Sequence, residues 1–318
     1  MKKLKIIILS ISFILIAASI IYVSKSKFSN DKEQTVVGTT TDADITFAVL
    51  GDVHENIEHF QAAIDDFYKI NPTMDALILN GDVVDQGIDE QYNSVKETLE
   101  RNKDLLPETI IKNIGNHEFF NYDIEKNSKE EVQGFINKYL EFSGEEKVYH
   151  DKWIKDYHFI SLGSEDGNSE TMNSVTAFLS KEQLEWFKEK LAEKYEKGKP
   201  IFVFLHQQLE YPNSKWIGVE QADELREILS EYPEVILFSS HTHRDISDNS
   251  ISLNRPFTIV NTGAIHYTLV IDPNEEKGFR RENDYINGIY IEVKGNVVNV
   301  RARDIKENKW RYNVEISK

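Results

Sequence analysis

Five apolar runs, each ending in a loop of acidic, amide or imidazole side chains, constrain this chain more than any other feature. Ile45 to Leu50 leads into Gly51-Asp52-Val53-His54, Ala76 to Leu79 into Gly81-Asp82-Val83-Val84-Asp85, and Thr109 to Ile114 into Gly115-Asn116-His117-Glu118. Ile201 to Leu205 is followed by His206, and Val235 to Phe238 by Ser239-Ser240-His241-Thr242-His243. Short runs rich in Ile, Val, Leu and Phe predict buried strands, and open α/β sheets place ligand sites beyond the carboxyl ends of their strands. The sequence therefore predicts that five separated segments converge on one edge of one sheet.

The intervening pattern alternates. Ile57, Phe60, Ile64 and Phe67 recur at helical spacing, so the first unit reads β-α-β and brings Asp52 and Asp82 to the same edge. Tyr157 to Leu162 and Phe257 to Val260 predict further strands, while Leu184, Phe187 and Leu191, then Glu220 to Leu229, predict helices. Gly288 to Val293 and Val297 to Ala302 flank Gly295-Asn296, the turn chemistry of a hairpin. No linker-like break interrupts residues 45 to 318, which read as one domain.

Carboxylate, amide and imidazole groups are ligands for hard or borderline divalent metals, and the chain has no cysteine for a thiolate site, a disulfide or thiol catalysis. Two ions need roughly seven or eight ligand positions at about 3.5 to 4 Å separation, most easily met when one carboxylate bridges them. Asp82, in the middle of the series, is the candidate bridge. The net charge of −17 argues against a nucleic-acid polymer as partner, because phosphate-backbone binding needs a basic face. A small phosphorylated substrate is compatible with it, since two divalent cations invert the local potential.

In order and form, D-x-H, G-D-x-x-D, G-N-H-E, H and H-x-H, the series resembles the signature of the calcineurin-like metallophosphoesterases over roughly residues 45 to 270. The resemblance implies a metallo-dependent phosphatase-like fold, an α/β protein built as a four-layer α/β/β/α sandwich of two mixed sheets. It implies Asp52, His54, Asp82 and His243 around one divalent ion and Asp82, Asn116, His206 and His241 around the other, the metals being Mn, Fe or Zn. His117 then faces the substrate, and Asp85 and Glu118 orient neighbouring groups. Purple acid phosphatases carry a tyrosine ligand where this chain has Asp85, so the sequence is closer to the cyclic-nucleotide phosphodiesterase-like and general bacterial branches. Ser240 stands where the family commonly has a glycine, and serine adopts positive φ less readily, so this turn is where the chain departs from the pattern.

The expected activity is that of a dinuclear metal-dependent phosphoric ester hydrolase. A metal-bridging hydroxide attacks a phosphodiester or phosphomonoester, and His117 assists the leaving group. Two alternatives stand beside it: a non-catalytic binding module that keeps the fold, and an enzyme acting on a cell-envelope polymer or phospholipid. Aromatics cluster between Glu118 and Tyr157, where Phe135, Tyr139 and Phe142 have the spacing of a buried helix face. A second aromatic loop, after His206, carries Tyr211 and Trp216, candidates for stacking on the substrate. Of the remaining histidines, His59 is assigned to a helix, His158 to a strand and His150 to a structural role, while His266 is the one expected near the site.

At the N-terminus, Lys2, Lys3 and Lys5 precede eighteen uncharged positions, Ile6 to Val23. As a helix these span about 27 Å, close to the hydrocarbon core of a bilayer. Residues 1–23 are read as a membrane anchor, or alternatively as a signal segment cleaved on secretion, and residues 24–44 as a polar tether. Both readings put the catalytic part outside the cytoplasm.

Overall fold

A computed structural model describes residues 42–209, 218–247, 250–253 and 256–318. The expected anchor and nearly all of the tether lie outside the described residues, as do Tyr211 and Trp216. Among the described residues, no helix is long and apolar enough to cross a membrane.

Two six-stranded sheets form the centre. The first is built around β1 (Ile45–Leu50), β2 (Ala76–Asn80) and β3 (Thr109–Asn113), which pair in parallel. It is extended from β1 by the antiparallel strands β12 (Asn287–Lys294), β13 (Val297–Asp304) and β14 (Lys309–Ser317), in the order β14-β13-β12-β1-β2-β3. The second contains β4 (His150–Ile154), β5 (Tyr157–Ser161), β6 (Ile201–Phe204), β7 (Val235–Ser239), β8 (Ile251–Ser252) and β9 (Thr258–Asn261), in the order β4-β5-β6-β7-β9-β8. A separate hairpin is made by β10 (Thr268–Ile271) and β11 (Phe279–Glu282).

The predicted sandwich is therefore present, with mixed strands in both sheets. One expectation needs correction: the five ligand-bearing loops do not share one sheet. Those after β1, β2 and β3 belong to the first sheet, and those after β6 and β7 to the second. Continuous apolar runs predict strands buried on both faces, and β1 and β2 of the first sheet are buried as fully as β6 and β7 of the second, so burial does not tell the sheets apart.

Three apolar clusters follow from that layering. Phe47, Val49, Ile78, Ile289 and Ile291 of the first sheet meet Phe159, Phe202, Phe204 and Phe238 of the second. Phe47 makes edge contacts with Phe159 and Phe202 at 5.0 and 4.8 Å between ring centroids. On the outer face of the first sheet, Leu50, Leu77 and Leu79 pack with α1 (Ile57–Ile70), α2 (Asp89–Arg101) and α3 (Lys129–Ser143) through Phe60, Phe67, Val95, Phe135 and Tyr139. On the outer face of the second, Val203 and Leu237 pack with α4 (Lys181–Ala192) and α5 (Ala222–Ser230) through Leu184, Phe187 and Leu225.

Helix ends follow local chemistry. Asn56 accepts a hydrogen bond from the His59 amide at the start of α1. Ser128 and Glu131 form a reciprocal capping box on α3, whose end is Gly144 at φ 81°. The Gly295 turn, at φ 58°, joins β12 to β13 as its sequence predicts. The segment Lys309–Ser317 was not among the expected strands, although Trp310, Tyr312, Val314 and Ile316 alternate with polar residues along it.

Candidate metal centre

The loops after β1, β2 and β7 turn sharply, and the residues making the turns are the candidate ligands. Asp52, His54, Asp82, His241 and His243 have φ between 48° and 65°. Left-handed backbone at a non-glycine residue costs of order 1–3 kcal/mol and persists only where its surroundings enforce it. Here the loops enforce one another. Asp52 N–H donates to Gly81 O, His54 N–H to Asp82 O, Ser240 N–H to His206 O and His266 N–H to Asp52 O, all at 2.8 to 3.1 Å. Gly115 is needed for another reason: a Cβ there would sit 2.5 Å from the Asp82 backbone nitrogen.

The departure at Ser240 is accommodated within this frame. Positive φ falls on His241 and not on Ser240, so no glycine is required there. The Ser240 hydroxyl lies 2.7 Å from Thr262 Oγ1 and accepts from Asn80 Nδ2 at 3.0 Å, joining the two sheets beneath the site.

Four imidazoles are aimed by an acceptor at Nδ1. His206 Nδ1 lies 2.8 Å from Asn80 O, His243 Nδ1 3.0 Å from Tyr267 O, His54 Nδ1 3.2 Å from Asp85 Oδ1 and His117 Nδ1 2.9 Å from Asp85 O. An acceptor there assigns the proton to Nδ1 and leaves the Nε2 lone pair for a metal or a substrate. Asn116 is treated alike: its Nδ2 donates to Ser174 O at 3.1 Å, and its Oδ1 is buried without a hydrogen bond.

The resulting donors crowd together. Asp52, His54 and His243 form one group with ligand atoms within 4.8 Å of one another, and Asp82, His206 and His241 form a second. His54, Asp82 and His117 also satisfy that spacing. His54 Nε2 and His243 Nε2 face each other at 3.2 Å, so with Nδ1 of each ring carrying a proton, either a second proton on His54 or a metal ion must occupy the space between the two nitrogens. His206 Nε2 lies 3.0 Å from Asp82 Oδ2, and Asp52 Oδ1 lies 3.2 Å from His243 Nε2. Neither Asp52 Oδ1 nor His206 Nε2 has an aligned hydrogen bond. Buried donors left in this way fit divalent ions.

Electrostatics point the same way. Burial alone would raise Asp82, but His206, His117 and His54 outweigh it and hold the carboxyl well below the usual range. Asp52 is lowered similarly, its burial outweighed by His243, His54 and His206. Burial would lower His54 and His206, yet the carboxylates around them raise these imidazoles to about 10 and about 9. His241, by contrast, is pushed down to about 4 by burial and by His206. Protons on His54 and His206 thus balance charge that metal ions would balance in their place.

Asp85 and Glu118 both contact the loops that carry the candidate ligands. Asp85 faces both His54 and His117, its Oδ1 3.4 Å from His117 Nδ1, and accepts from the Tyr122 hydroxyl at 2.8 Å. Hydrogen bonds with His117 and His54 hold it well below the carboxylate range. Glu118 is buried and accepts the amides of Asp82, Val83 and Gly115 at 3.1, 2.8 and 2.7 Å. Burial, then the Asp82 charge, raises its pKa.

His266 lies at the site, its ring 5.1 Å from that of His54. His59, assigned to a helix, also reaches the site loop, with Nδ1 3.0 Å from Ile265 O. The sequence reading missed Tyr267, stacked on His243 at 4.0 Å, and Arg281, which lies over Tyr267. It also favoured a structural role for the aromatics after Glu118. Phe135, Tyr139 and Phe142 do pack in the core, whereas Phe120 borders His117 at 4.4 Å and Tyr122 is 62% exposed.

The profile of the calcineurin-like phosphoesterases matches residues 45–245. The chain belongs to the calcineurin-like phosphoesterase family. No curated protein matches the sequence. Among solved structures, this calcineurin-like phosphoesterase is similar to the purple acid phosphatase PPD1 from yellow lupin (Lupinus luteus) seeds, with a TM-score of 0.57 and 13% identity. That likeness covers 86% of this chain and 53% of the lupin protein, so the chain spans about half of that relative's length. It is also similar to GAP50, the anchor in the inner membrane complex of Plasmodium, with a TM-score of 0.56, 11% identity and coverage of 86% and 88%. At these identities the likeness is one of fold.

Proposed function

We propose that the chain is a metal-dependent phosphoester hydrolase that would hold two divalent ions, with Asp82 among the ligands of each. The observation that carries this reading is the pair of adjoining donor groups, Asp52, His54 and His243 beside Asp82, His206 and His241, with His117 at their margin. Asp52, His54, Asp82 and His243 would hold one ion, and Asp82, Asn116, His206 and His241 the other. When bound, such ions polarise phosphoryl oxygens and lower the pKa of water from about 15.7 towards 7, which makes a nucleophile available at neutral pH.

The remaining chemistry belongs to the chain. Asp85 fixes the His54 ring through Nδ1, and its carbonyl does the same for His117. That leaves His117 Nε2 as the atom that carries a proton to the departing oxygen. The Gly81-Asp82-Val83-Val84-Asp85 form supports a place in the cyclic-nucleotide phosphodiesterase-like and general bacterial branches.

The test is hydrolysis of bis(p-nitrophenyl) phosphate and p-nitrophenyl phosphate after metal removal and restoration of Mn(II), beside Asp82→Ala. Restored activity that Asp82→Ala abolishes is the expected outcome, and the ratio of the two esters separates diesterase from monoesterase. A folded protein that binds no metal would turn the reading towards a binding module.

The uncharged run Ile6 to Val23 and the polar residues after it support attachment to a membrane with the catalytic part outside the cytoplasm. A phospholipid or envelope phosphoester would then be within reach. Release of the intact chain from membranes by alkaline carbonate would count against such an anchor.

A further inference from the structure

We propose that Arg281 is a specificity-determining residue that binds a second anionic group of the substrate, so that the preferred ester carries another phosphate or a carboxylate beside the scissile phosphate. This rests on the reading that the Asp and His groups hold metal ions and, through them, the scissile phosphate. The hairpin that carries Arg281 is fastened to the H-x-H loop. Leu269 N–H donates to His243 O at 2.6 Å, Asp245 N–H to Leu269 O at 3.2 Å, and Leu269 pairs with Arg281 across the hairpin.

The guanidinium is held before any ligand arrives. Its Cζ lies 3.6 Å from the Tyr267 ring centre, and Tyr267 is stacked in turn on His243. Its Nε donates to Asn283 Oδ1 at 2.7 Å, and Nη2 lies 3.4 Å from His266 Nε2, whose ring neighbours His54. Arg281 thus reaches two candidate ligand histidines through one intervening ring each, and it is an exposed residue.

Charge makes the position unusual. The chain has 54 acidic and 37 basic residues, and the adjacent Arg280 is paired with Asp272 and Glu282 at 3.6 and 2.6 Å. Among the described residues, no carboxylate lies within ion-pair distance of Arg281. Arg244, directly after His243, is bridged to Leu269 on the other side and is also exposed. A planar fork with free N–H groups, held beside a metal site in an acidic protein, suits phosphate or carboxylate oxygens.

Titration calorimetry of the full chain in saturating Mn(II), with thymidine 3′,5′-bisphosphate and with thymidine 5′-monophosphate, reads the preference directly. The wild-type chain is expected to bind the bisphosphate about tenfold more tightly. Arg281→Gln should bring that ratio near one, and Arg281→Lys should keep part of it. Equal affinities in the wild type, binding of neither ligand, or a ratio unchanged in Arg281→Gln would overturn the proposal. The last result would assign Arg281 only to propping Tyr267. Hydrolysis of thymidine 5′-(p-nitrophenyl phosphate), with and without a 3′-phosphate, tests the hydrolase reading separately. Turnover of neither ester, with the binding ratio intact, would remove the hydrolase and keep the anion subsite.

Discussion

The carboxylate of Asp85 stands behind His54, with Oδ1 3.2 Å from Nδ1, and turns the Nε2 lone pair of that ring towards Asp52 and His243. The same residue holds His117 through its backbone carbonyl, so one short loop sets the direction of two imidazoles. Asp85→Asn keeps the shape and removes the charge. Partners of this kind contribute about 10- to 100-fold to metal affinity or activity. A loss of that size, measured by metal titration and by ester hydrolysis, is expected, with little change in the urea midpoint.

His117→Ala should separate turnover from metal content. A positioned acid contributes about 10²- to 10⁴-fold, so kcat should fall within that range while two equivalents of metal remain by elemental analysis. Loss of metal together with activity would instead make His117 a ligand.

Glu118 has a structural consequence. Its buried carboxylate accepts three amides that shape the Asp82 and Asn116 loops. Glu118→Ala leaves those amides without partners, and a loss of about 2–5 kcal/mol in urea unfolding is expected. Glu118→Gln, which keeps one acceptor oxygen, should lose less.

The pH dependence of the metal-free protein has a definite sign. His54 and His206 are raised to about 10 and about 9 from 6.5, so their charged forms stabilise the folded state fully below pH 6.5. That contribution declines as pH rises and is gone above about 10. His241, pushed down to about 4, opposes folding only below pH 6.5, so it does not alter this window. Urea unfolding after chelation should show stability falling from pH 6.5 to 10, and saturating metal should flatten the curve by displacing the protons.

Much of this was legible in the residues, for reasons that also explain what was not. Strands β1, β2, β6 and β7 announce themselves because each is a short, fully buried and mostly apolar run followed by polar residues, whereas β3 is only partly buried and shows itself through Ile110 and Ile111. Allocation to two sheets was not legible, since Val49 and Phe238 are equally buried whichever sheet holds them. The turn at Ser240 was misjudged because backbone strain moved one residue along, to His241. The hairpin bearing Arg281 left no pattern, because Phe279, Arg280 and Arg281 are exposed and alternate with no buried partner. In β14, by contrast, the alternation of Trp310, Tyr312, Val314 and Ile316 was a usable signal.

Dividing the donors between two sheets has a consequence for synthesis. Asp52 and His54 leave the ribosome long before His243, and Asp82 long before His206 and His241, so neither of these two donor groups is complete until the loop after β7 has been made. Capture of metal therefore becomes a late checkpoint. A nascent chain stalled before β7 would hold unclasped carboxylates, and only the finished sandwich would close on its ions.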